Sequence, residues 1–186
     1  MHEATRLNRF KMAAEVTGAQ VVTAVTTDAA LDYISERLAG ALLLPNIAAA
    51  RTHRLADGLR ERGCSVIDRA LRKHAAEAEA GLTCADFAIA ETGTLVLEST
   101  AEDVRLASTL PPKHFVIFSP QALVDDALDA VPLLRRFQQR TPASYLAYIT
   151  GPSRTADIER VLTIGVHGPK ELHILLCDEL TCGEDS

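Results

Sequence analysis

The sequence of 186 residues has a formal net charge of −6, with 47% hydrophobic and 24% charged residues. Such values are typical of a soluble globular domain and argue against disorder or a coiled coil. The acidic charge and the aromatic content of 4% argue against a nucleic-acid surface, and no apolar run approaches the roughly 18 residues of a membrane span. Because the N-terminal residues lack a secretion pattern, we expect a cytoplasmic protein.

Helical and extended patterns alternate through the first part of the chain. Leu31, Ile34 and Leu38 recur at helical spacing. Thr27-Asp28 can cap the start of this helix, and Gly40 is typical of a helix end. In chain order, the patterns predict a helix or arm at about residues 1–17, a strand at 19–25, a helix at 27–40, a strand at 41–44, a helix at 55–63, a strand at 64–67 and a charged helix at about 69–80.

The alternation of helical and extended patterns changes at residue 85. Two extended runs, Ala85–Ala90 and Thr94–Glu98, flank Glu91-Thr92-Gly93, and a glycine-bearing turn between two such runs predicts a β-hairpin. After it, the patterns predict a strand at 114–118, a helix at 121–128, a strand at 145–149, a short helical turn at 155–160 and a strand at 171–176.

Alternating strands and helices are typical of an α/β fold. We therefore predict a Rossmann-like, mostly parallel sheet with helices on both faces and a β-hairpin around Glu91–Gly93. No internal repeat, low-complexity segment or long linker divides the chain, so residues 1–186 are predicted to form a single domain.

Three glycine-bearing loops carry polar residues close to apolar strands. In open α/β sheets ligands collect outside the carboxyl ends of the strands, and we predict that these loops meet there. The first loop is Glu91-Thr92-Gly93-Thr94. Glu91 follows an apolar run, so partial burial would make it a base or nucleophile, and the two threonines and Gly93 could contact a ligand. The alternative is a hairpin turn whose glutamate faces water.

The second loop runs from Gly151 to Asp157. Ser153 or Thr155 can cap a following turn, and Arg154 adds a planar, permanently charged donor group. Free backbone N–H groups beside an arginine suit a phosphate or carboxylate, so Gly151, Ser153, Arg154 and Thr155 are predicted ligand-binding residues. A capped helix start with a solvated arginine explains the same pattern.

The third loop is Gly165-Val166-His167-Gly168-Pro169. His167 can transfer protons near neutral pH, and we predict a catalytic role for it with Gly168 at the ligand, although a lone loop histidine is also common without one. Arg105 could hold an anion or lie on the surface. Together, Glu91, Thr92, Arg154, Thr155 and His167 are predicted to converge on one cleft.

Cofactor and metal motifs are missing from the sequence. The cysteines at positions 64, 84, 177 and 182 form no CxxC pair, which argues against an iron–sulfur cluster or zinc site. Neither a Walker A loop, a GxSxG elbow, an HExxH helix nor a nucleotide fingerprint occurs. We therefore predict no metal and no cofactor.

Four ordered segments carry a family resemblance. They are residues 85–97 (ADFAIAETGTLVL), residues 105–114 with Arg105-Leu106-Ala107-Ser108, Leu110-Pro111-Pro112 and His114, residues 151–159 (GPSRTADIE) and residues 165–169 (GVHGP). In these segments the sequence resembles the lactate utilization protein C family over about residues 82–176. The first half of the chain resembles that family only in its alternation of predicted strands and helices.

The resemblance implies a fold of the sugar-phosphate isomerase and CoA-transferase type. It also implies a place in a system that oxidises L-lactate to pyruvate, in which partner subunits carry the iron–sulfur clusters and this chain is the cluster-free component. The expected ligand is a small carboxylate or phosphate-bearing molecule, and a homo-oligomer is left open. The alternatives are an enzyme resembling CoA-transferases or folate cyclo-ligases, with Glu91 as nucleophile or base, and a ligand-sensing module without turnover.

Overall fold

The computed structural model describes residues 2–140, 144–156, 162–165 and 167–179. Its helices are α1 (His2–Val16), α2 (Thr27–Ser35), α3 (Ala48–Thr52), α4 (Leu55–Glu61), α5 (Leu71–His74), α6 (Glu102–Thr109) and α7 (Val131–Gln138). Its strands are β1 (Gln20–Thr23), β2 (Ala41–Leu43), β3 (Ser65–Ile67), β4 (Ala80–Cys84), β5 (Phe87–Ile89), β6 (Thr94–Glu98), β7 (Lys113–Phe118), β8 (Leu123–Val124), β9 (Leu146–Ile149), β10 (Arg154–Ala156), β11 (Leu162–Ile164) and β12 (Glu171–Leu176).

Six strands form a parallel sheet in the order β1-β12-β7-β4-β2-β3. This sheet with its helices confirms the predicted α/β fold. Four further strands form a second sheet in the order β8-β5-β6-β9, and β10 pairs with β11 in a small antiparallel ribbon. The predicted hairpin is confirmed, because β5 and β6 are antiparallel and Ile89 pairs with Thr94 across the turn.

The central strands are buried on both faces, and the two-residue period of a strand separates two cores. On one face, Phe115 and Ile117 of β7 pack with Leu31 and Ile34 of α2 and with the apolar residues of α3 and α4. On the other face, Val116 and the other residues of opposite parity pack against α1 and the second sheet. The second face of the parallel sheet is therefore covered by a sheet as well as by helices.

Helix α2 shows why the first half of the chain was predictable. The side chain of Thr26 accepts a hydrogen bond from the Ala29 backbone N–H at 3.1 Å, and Leu31 and Ile34 face the core. A side-chain cap and apolar residues at helical spacing are both local signals. The cap lies one residue before the predicted Thr27, and the helix ends at Ser35, well before Gly40.

Several predicted elements were wrong. The charged helix at 69–80 is only the four-residue α5, and residue 80 already begins the central strand β4. Residues 121–128, predicted as a helix, form a short 3₁₀ turn and β8. The strand at 145–149 exists as β9 but lies antiparallel in the second sheet. The turn predicted at 155–160 begins in β10, and residues 157–160 lie outside the described residues.

Strand β4 was missed because tertiary packing overrides local preference there. Its residues Ala80-Gly81-Leu82-Thr83-Cys84 contain little of the β-branched and aromatic content that marks a strand. A Cβ atom on Gly81 would lie 1.8 Å from the carbonyl oxygen of Ala107 in α6. Gly81 is therefore needed so that α6 can pack directly on the sheet, a requirement that no local pattern encodes.

Candidate functional site

A cavity of about 310 Å³ lies beside the start of β12, next to β9 and the end of α6. We call it the β9–β12 cavity, and its lining residues are Ser108, Thr109, His114, 147–149, 151–153, 167–169 and Leu172. Three of the four segments that carry the family resemblance contribute to this lining. The structure thus brings together the predicted residues Gly151, Ser153, His167 and Gly168.

Two glycines allow the loops around the cavity to approach each other closely. Gly151 has φ +75°, and a Cβ atom there would lie 2.5 Å from the carbonyl oxygen of Thr17. A Cβ atom on Gly168 would lie 2.8 Å from Cβ of Ser153. Larger residues at either position would separate the chain segments that form the cavity wall.

Backbone hydrogen bonds fix the two loops to each other. The N–H of Ser153 donates to the carbonyl of Pro169 at 2.8 Å, and the N–H of Gly165 donates to the carbonyl of Ser153 at 2.9 Å. The N–H of Lys170 donates to the carbonyl of Pro112 at 2.7 Å, just before β7 begins. Ser153 and Pro169 are therefore positioned by main-chain bonds, which gives a binding site a defined shape.

His114 forms the buried polar wall of the cavity. Its Nε2 atom lies 2.8 Å from Oγ1 of Thr83, and only 1% of the residue is exposed. Burial lowers the pKa of His114 to about 3, so the ring is neutral at physiological pH. The Thr83 hydroxyl occupies Nε2, so Nδ1 is the ring nitrogen left for a ligand.

The cavity lies at the amino end of the parallel sheet. The predicted location outside the carboxyl ends of the strands was wrong for the second and third loops. The reason is topological: β9 belongs to the antiparallel sheet, and the chain after it passes through β10 and β11 before it enters β12. Gly165, His167 and Gly168 therefore precede a parallel strand rather than follow one.

The first predicted loop lies beneath α1. The hydroxyl of Thr94 is 2.6 Å from that of Thr92 and 2.8 Å from that of Thr150, the residue before Gly151. Gly93 has φ +66°, and a Cβ atom there would lie 2.3 Å from the backbone nitrogen of Ala14. The threonine chain thus connects this turn to one edge of the β9–β12 cavity.

Glu91 itself lines a different groove, along α1. Its carboxylate lies 3.3 Å from a guanidinium nitrogen of Arg9, and about half of its side chain is exposed, 51%. Glu91 therefore forms a half-exposed ion pair on the surface rather than a carboxylate enclosed by apolar side chains. Glu91 and His167 line separate hollows, so the structure divides the predicted set between them.

The two predicted arginines have other surroundings. Arg105 donates from Nη1 to the carbonyl oxygens of Ser99 and Thr100, each at 2.6 Å, so its guanidinium closes its own loop. Arg154 is exposed and lies beside Gly18. Thr155 lies in β10, and its side chain falls outside the described part of the structure.

Sequence reasoning missed a largely buried carboxyl group, Asp86, just after the carboxyl end of β4. Oδ2 of Asp86 accepts a hydrogen bond from the Glu98 N–H at 2.6 Å. Burial, followed by the nearby Glu98 carboxylate, raises the pKa of Asp86 to about 6. A carboxyl residue directly after the apolar run of β4 was the available signal, but that strand had not been recognised.

Residues 2–140, 144–156, 162–165 and 167–179 contain neither a candidate membrane-spanning helix nor a candidate metal site. No described helix is long and apolar enough to cross a membrane. Within the same ranges, no group of three or more histidine, cysteine, aspartate or glutamate side chains is placed to hold a metal ion.

The fold and site define an α/β protein of two packed sheets with a small, mainly uncharged cavity between loop segments. Residues 7–177 match the LUD domain family, and the chain belongs to that family. A solved structure of a DUF162 family protein from Deinococcus radiodurans has the same fold, with a TM-score of 0.71 at 22% identity over 95% of this chain and 99% of that one. The sugar-phosphate isomerase and CoA-transferase relationship stays a prediction.

Curated relatives match between half and two thirds of the chain. Lactate utilization protein C of Bacillus subtilis is 38% identical over 109 residues, which cover 57% of this chain and 45% of that protein. An uncharacterised protein of Neisseria meningitidis serogroup B is 39% identical over 97 residues, 52% of this chain and 41% of that one. The aligned regions thus span less than half of these relatives.

Proposed function

We propose that this protein takes part in lactate utilization and that its β9–β12 cavity binds a small carboxylate of that process. The observation that carries the proposal is the convergence of three family-like segments on this cavity. Relatives named lactate utilization protein C support the process. The volume of about 310 Å³ is near the lower end of the 300–1,000 Å³ usual for ligand pockets, which suits a small molecule.

The chemistry of the lining fits a short hydroxy or keto acid. We place the ring proton of His114 on Nδ1, so that Nδ1 and the hydroxyl of Ser153 donate hydrogen bonds to a carboxylate, and His167 lies at the exposed rim. Ile149 and Leu172 supply an apolar wall for a methyl group. A neutral imidazole donates without the desolvation cost of a buried charge, which favours reversible binding.

The proposal extends to partners and location. We assign the chain the role of cluster-free subunit, working in the cytoplasm with iron–sulfur subunits that carry out the oxidation of L-lactate. Tyr145 and Tyr148 on or beside β9 are 70% and 53% exposed next to the cavity, and exposed tyrosines are frequent at protein interfaces. Cys64 is a free thiol, which fits a reducing compartment.

The test combines growth with ligand binding. Gly168→Val should deform the cavity, because its Cβ atom would already press on Ser153 and separate the two wall segments. A strain that carries this variant as its only copy should grow on glucose and fail on L-lactate. The purified variant should lose the rise in melting temperature that pyruvate or L-lactate gives the wild type.

The matched control adds the same groups elsewhere. Ala127→Val changes an exposed residue and should leave growth on lactate and the ligand-induced shift unchanged. Circular dichroism would establish that both variants fold. Normal growth of a folded Gly168→Val strain on L-lactate would contradict the proposal.

A further inference from the structure

Thr83 is a fully buried polar residue in the central strand β4. It is 0% exposed, and its neighbours in the strand include the apolar core residues Ala80 and Leu82. A buried hydroxyl without a hydrogen bond is costly, so a threonine at this depth needs a partner. That partner is Nε2 of His114, which lies 2.8 Å from Oγ1 of Thr83.

The register of the parallel sheet brings these two side chains together. His114 of β7 lies directly opposite Gly81 of β4, and Thr83 lies two residues further along the same face. Diagonal neighbours of this kind are within reach of a long side chain, and Gly81 has no side chain to separate them. On its other side, His114 is opposite Leu172 of β12, which also lines the β9–β12 cavity.

The hydrogen-bond requirement of Thr83 determines the direction of the bond. Among the described residues, the Thr83 hydroxyl has no second hydrogen-bond partner. If Nε2–H of His114 donated to Oγ1, the hydroxyl hydrogen would therefore be left unpaired in the core. If the hydroxyl donates, only oxygen lone pairs remain unused. Because buried donors without a partner are rarer than acceptor oxygens with spare lone pairs, we expect the hydroxyl to donate.

A ring that accepts a hydrogen bond at Nε2 carries its single proton on Nδ1. Burial lowers the pKa of His114 to about 3, so at neutral pH the ring is uncharged and has one N–H group. Within the part of the chain that the structure describes, Nδ1 has no hydrogen-bond partner. Since His114 lines the cavity, Nδ1–H is the polar group that the ring presents to a ligand.

We propose that Thr83 is a positioning residue that fixes His114 in the Nδ1–H tautomer and so selects a ligand with an acceptor oxygen at that point of the cavity. This role rests on the proposed function, in which the ligand is a small carboxylate. An ionised carboxylate only accepts hydrogen bonds, whereas an ammonium group would face a second donor. Thr83 does not line the cavity itself, so it acts through His114.

Nitrogen NMR of the ¹⁵N-labelled full chain without ligand measures the tautomer, because protonated and unprotonated ring nitrogens have different chemical shifts. His114→Gln assigns the signals of this ring by their disappearance. At about pH 7 we expect the wild type to carry the proton on Nδ1. Thr83→Val replaces the hydroxyl by a methyl group and should give a mixture of both tautomers. Thr83→Ser keeps a hydroxyl and should retain the wild-type shifts.

Calorimetric titration with sodium pyruvate connects the tautomer with binding. Thr83→Val should weaken the pyruvate affinity about five- to tenfold, as the loss of one hydrogen bond implies, and Thr83→Ser should bind as the wild type does. The control Ser119→Ala deletes another buried hydroxyl, just after the opposite end of β7. It should change neither the His114 shifts nor the affinity.

The two measurements separate the role of Thr83 from the proposed function. A wild-type ring with its proton on Nε2 would overturn the proposal, even if Thr83→Val failed to fold. A folded Thr83→Val protein with the wild-type shifts, or with the wild-type pyruvate affinity, would overturn it as well. An Nδ1–H ring in a wild type that does not bind pyruvate would contradict the carboxylate ligand and support the control of the tautomer by Thr83.

Discussion

The buried carboxyl group of Asp86 gives a pH-dependent prediction for stability. Its pKa is raised from 3.8 to about 6 in the folded protein. The folded state therefore holds this proton more tightly than the unfolded chain, and the stability present below about pH 4 is lost as the pH rises through 6. At 1.36 kcal/mol per pKa unit, the loss approaches about 3 kcal/mol at neutral pH.

Asp86→Asn should remove this loss. The amide oxygen can still accept from the Glu98 N–H, while the ionisation disappears. At pH 7 the variant should be up to about 3 kcal/mol more stable than the wild type, and the difference should vanish near pH 4. Urea unfolding followed by far-UV circular dichroism at about pH 4.5, 5.5 and 7 would measure it.

His114 gives the opposite dependence of stability on pH. Because its pKa is lowered to about 3 from 6.5, only the unfolded chain takes up its proton between these values, so stability falls as the pH drops. In the wild type the two trends offset each other between about pH 4 and 6. Asp86→Asn should expose the His114 slope of about 1.4 kcal/mol per pH unit. A stability difference that stays constant with pH, or one that Asp129→Asn at an exposed carboxylate reproduces, would refute the reasoning.

Three further predictions concern a close backbone contact, a core aromatic ring and an ion pair. Gly81→Ala should destabilise the protein by several kcal/mol or prevent folding, because its Cβ atom would overlap the Ala107 carbonyl. The control Gly63→Ala adds a Cβ atom where nothing lies within 4 Å, and it should cost about 1 kcal/mol because of the left-handed backbone. Urea unfolding midpoints of the two variants would measure the difference. Phe10→Ala should lower the free energy of unfolding by about 3–5 kcal/mol and speed proteolysis within α1, because the Phe10 ring packs on the Phe118 ring at 5.8 Å between centroids. Equal proteolysis rates in the variant and the wild type would contradict this. Lys113→Met breaks the 2.7 Å ion pair that lowers the pKa of Glu79. The wild type should therefore be more stable than the variant above about pH 4.5 and should lose this difference in stability as the pH falls through the lowered pKa. Acid unfolding of both proteins would measure it.

The candidate site was only partly accessible to sequence reasoning. Gly151, Ser153, His167 and Gly168 were predicted from local chemistry and do line one cavity. His114 joins them through the register of β7, which places it opposite Leu172 in β12. Pairing between strands far apart in the chain has no local signal, so the buried half of the cavity could not be anticipated.

Glu91 is a predicted site residue whose surroundings the sequence did not determine. Its place after an apolar run favoured burial, yet the turn carries it outward to Arg9 of α1. The same loop sequence is compatible with a buried or an exposed carboxylate. The packing of α1 over the turn determines that Glu91 is exposed.

The sequence alone determined the α/β class, the hairpin at Glu91–Gly93 and the last strand, residue for residue, because hydrophobic periodicity and turn glycines act over a few neighbouring residues. Only the tertiary structure decided that β4 is a central strand, that the hairpin belongs to a second sheet, and which end of the parallel sheet receives the polar loops. These features depend on contacts between distant segments, such as the approach of Ala107 to Gly81, and burial against a distant partner outweighs the small local preferences of single residues.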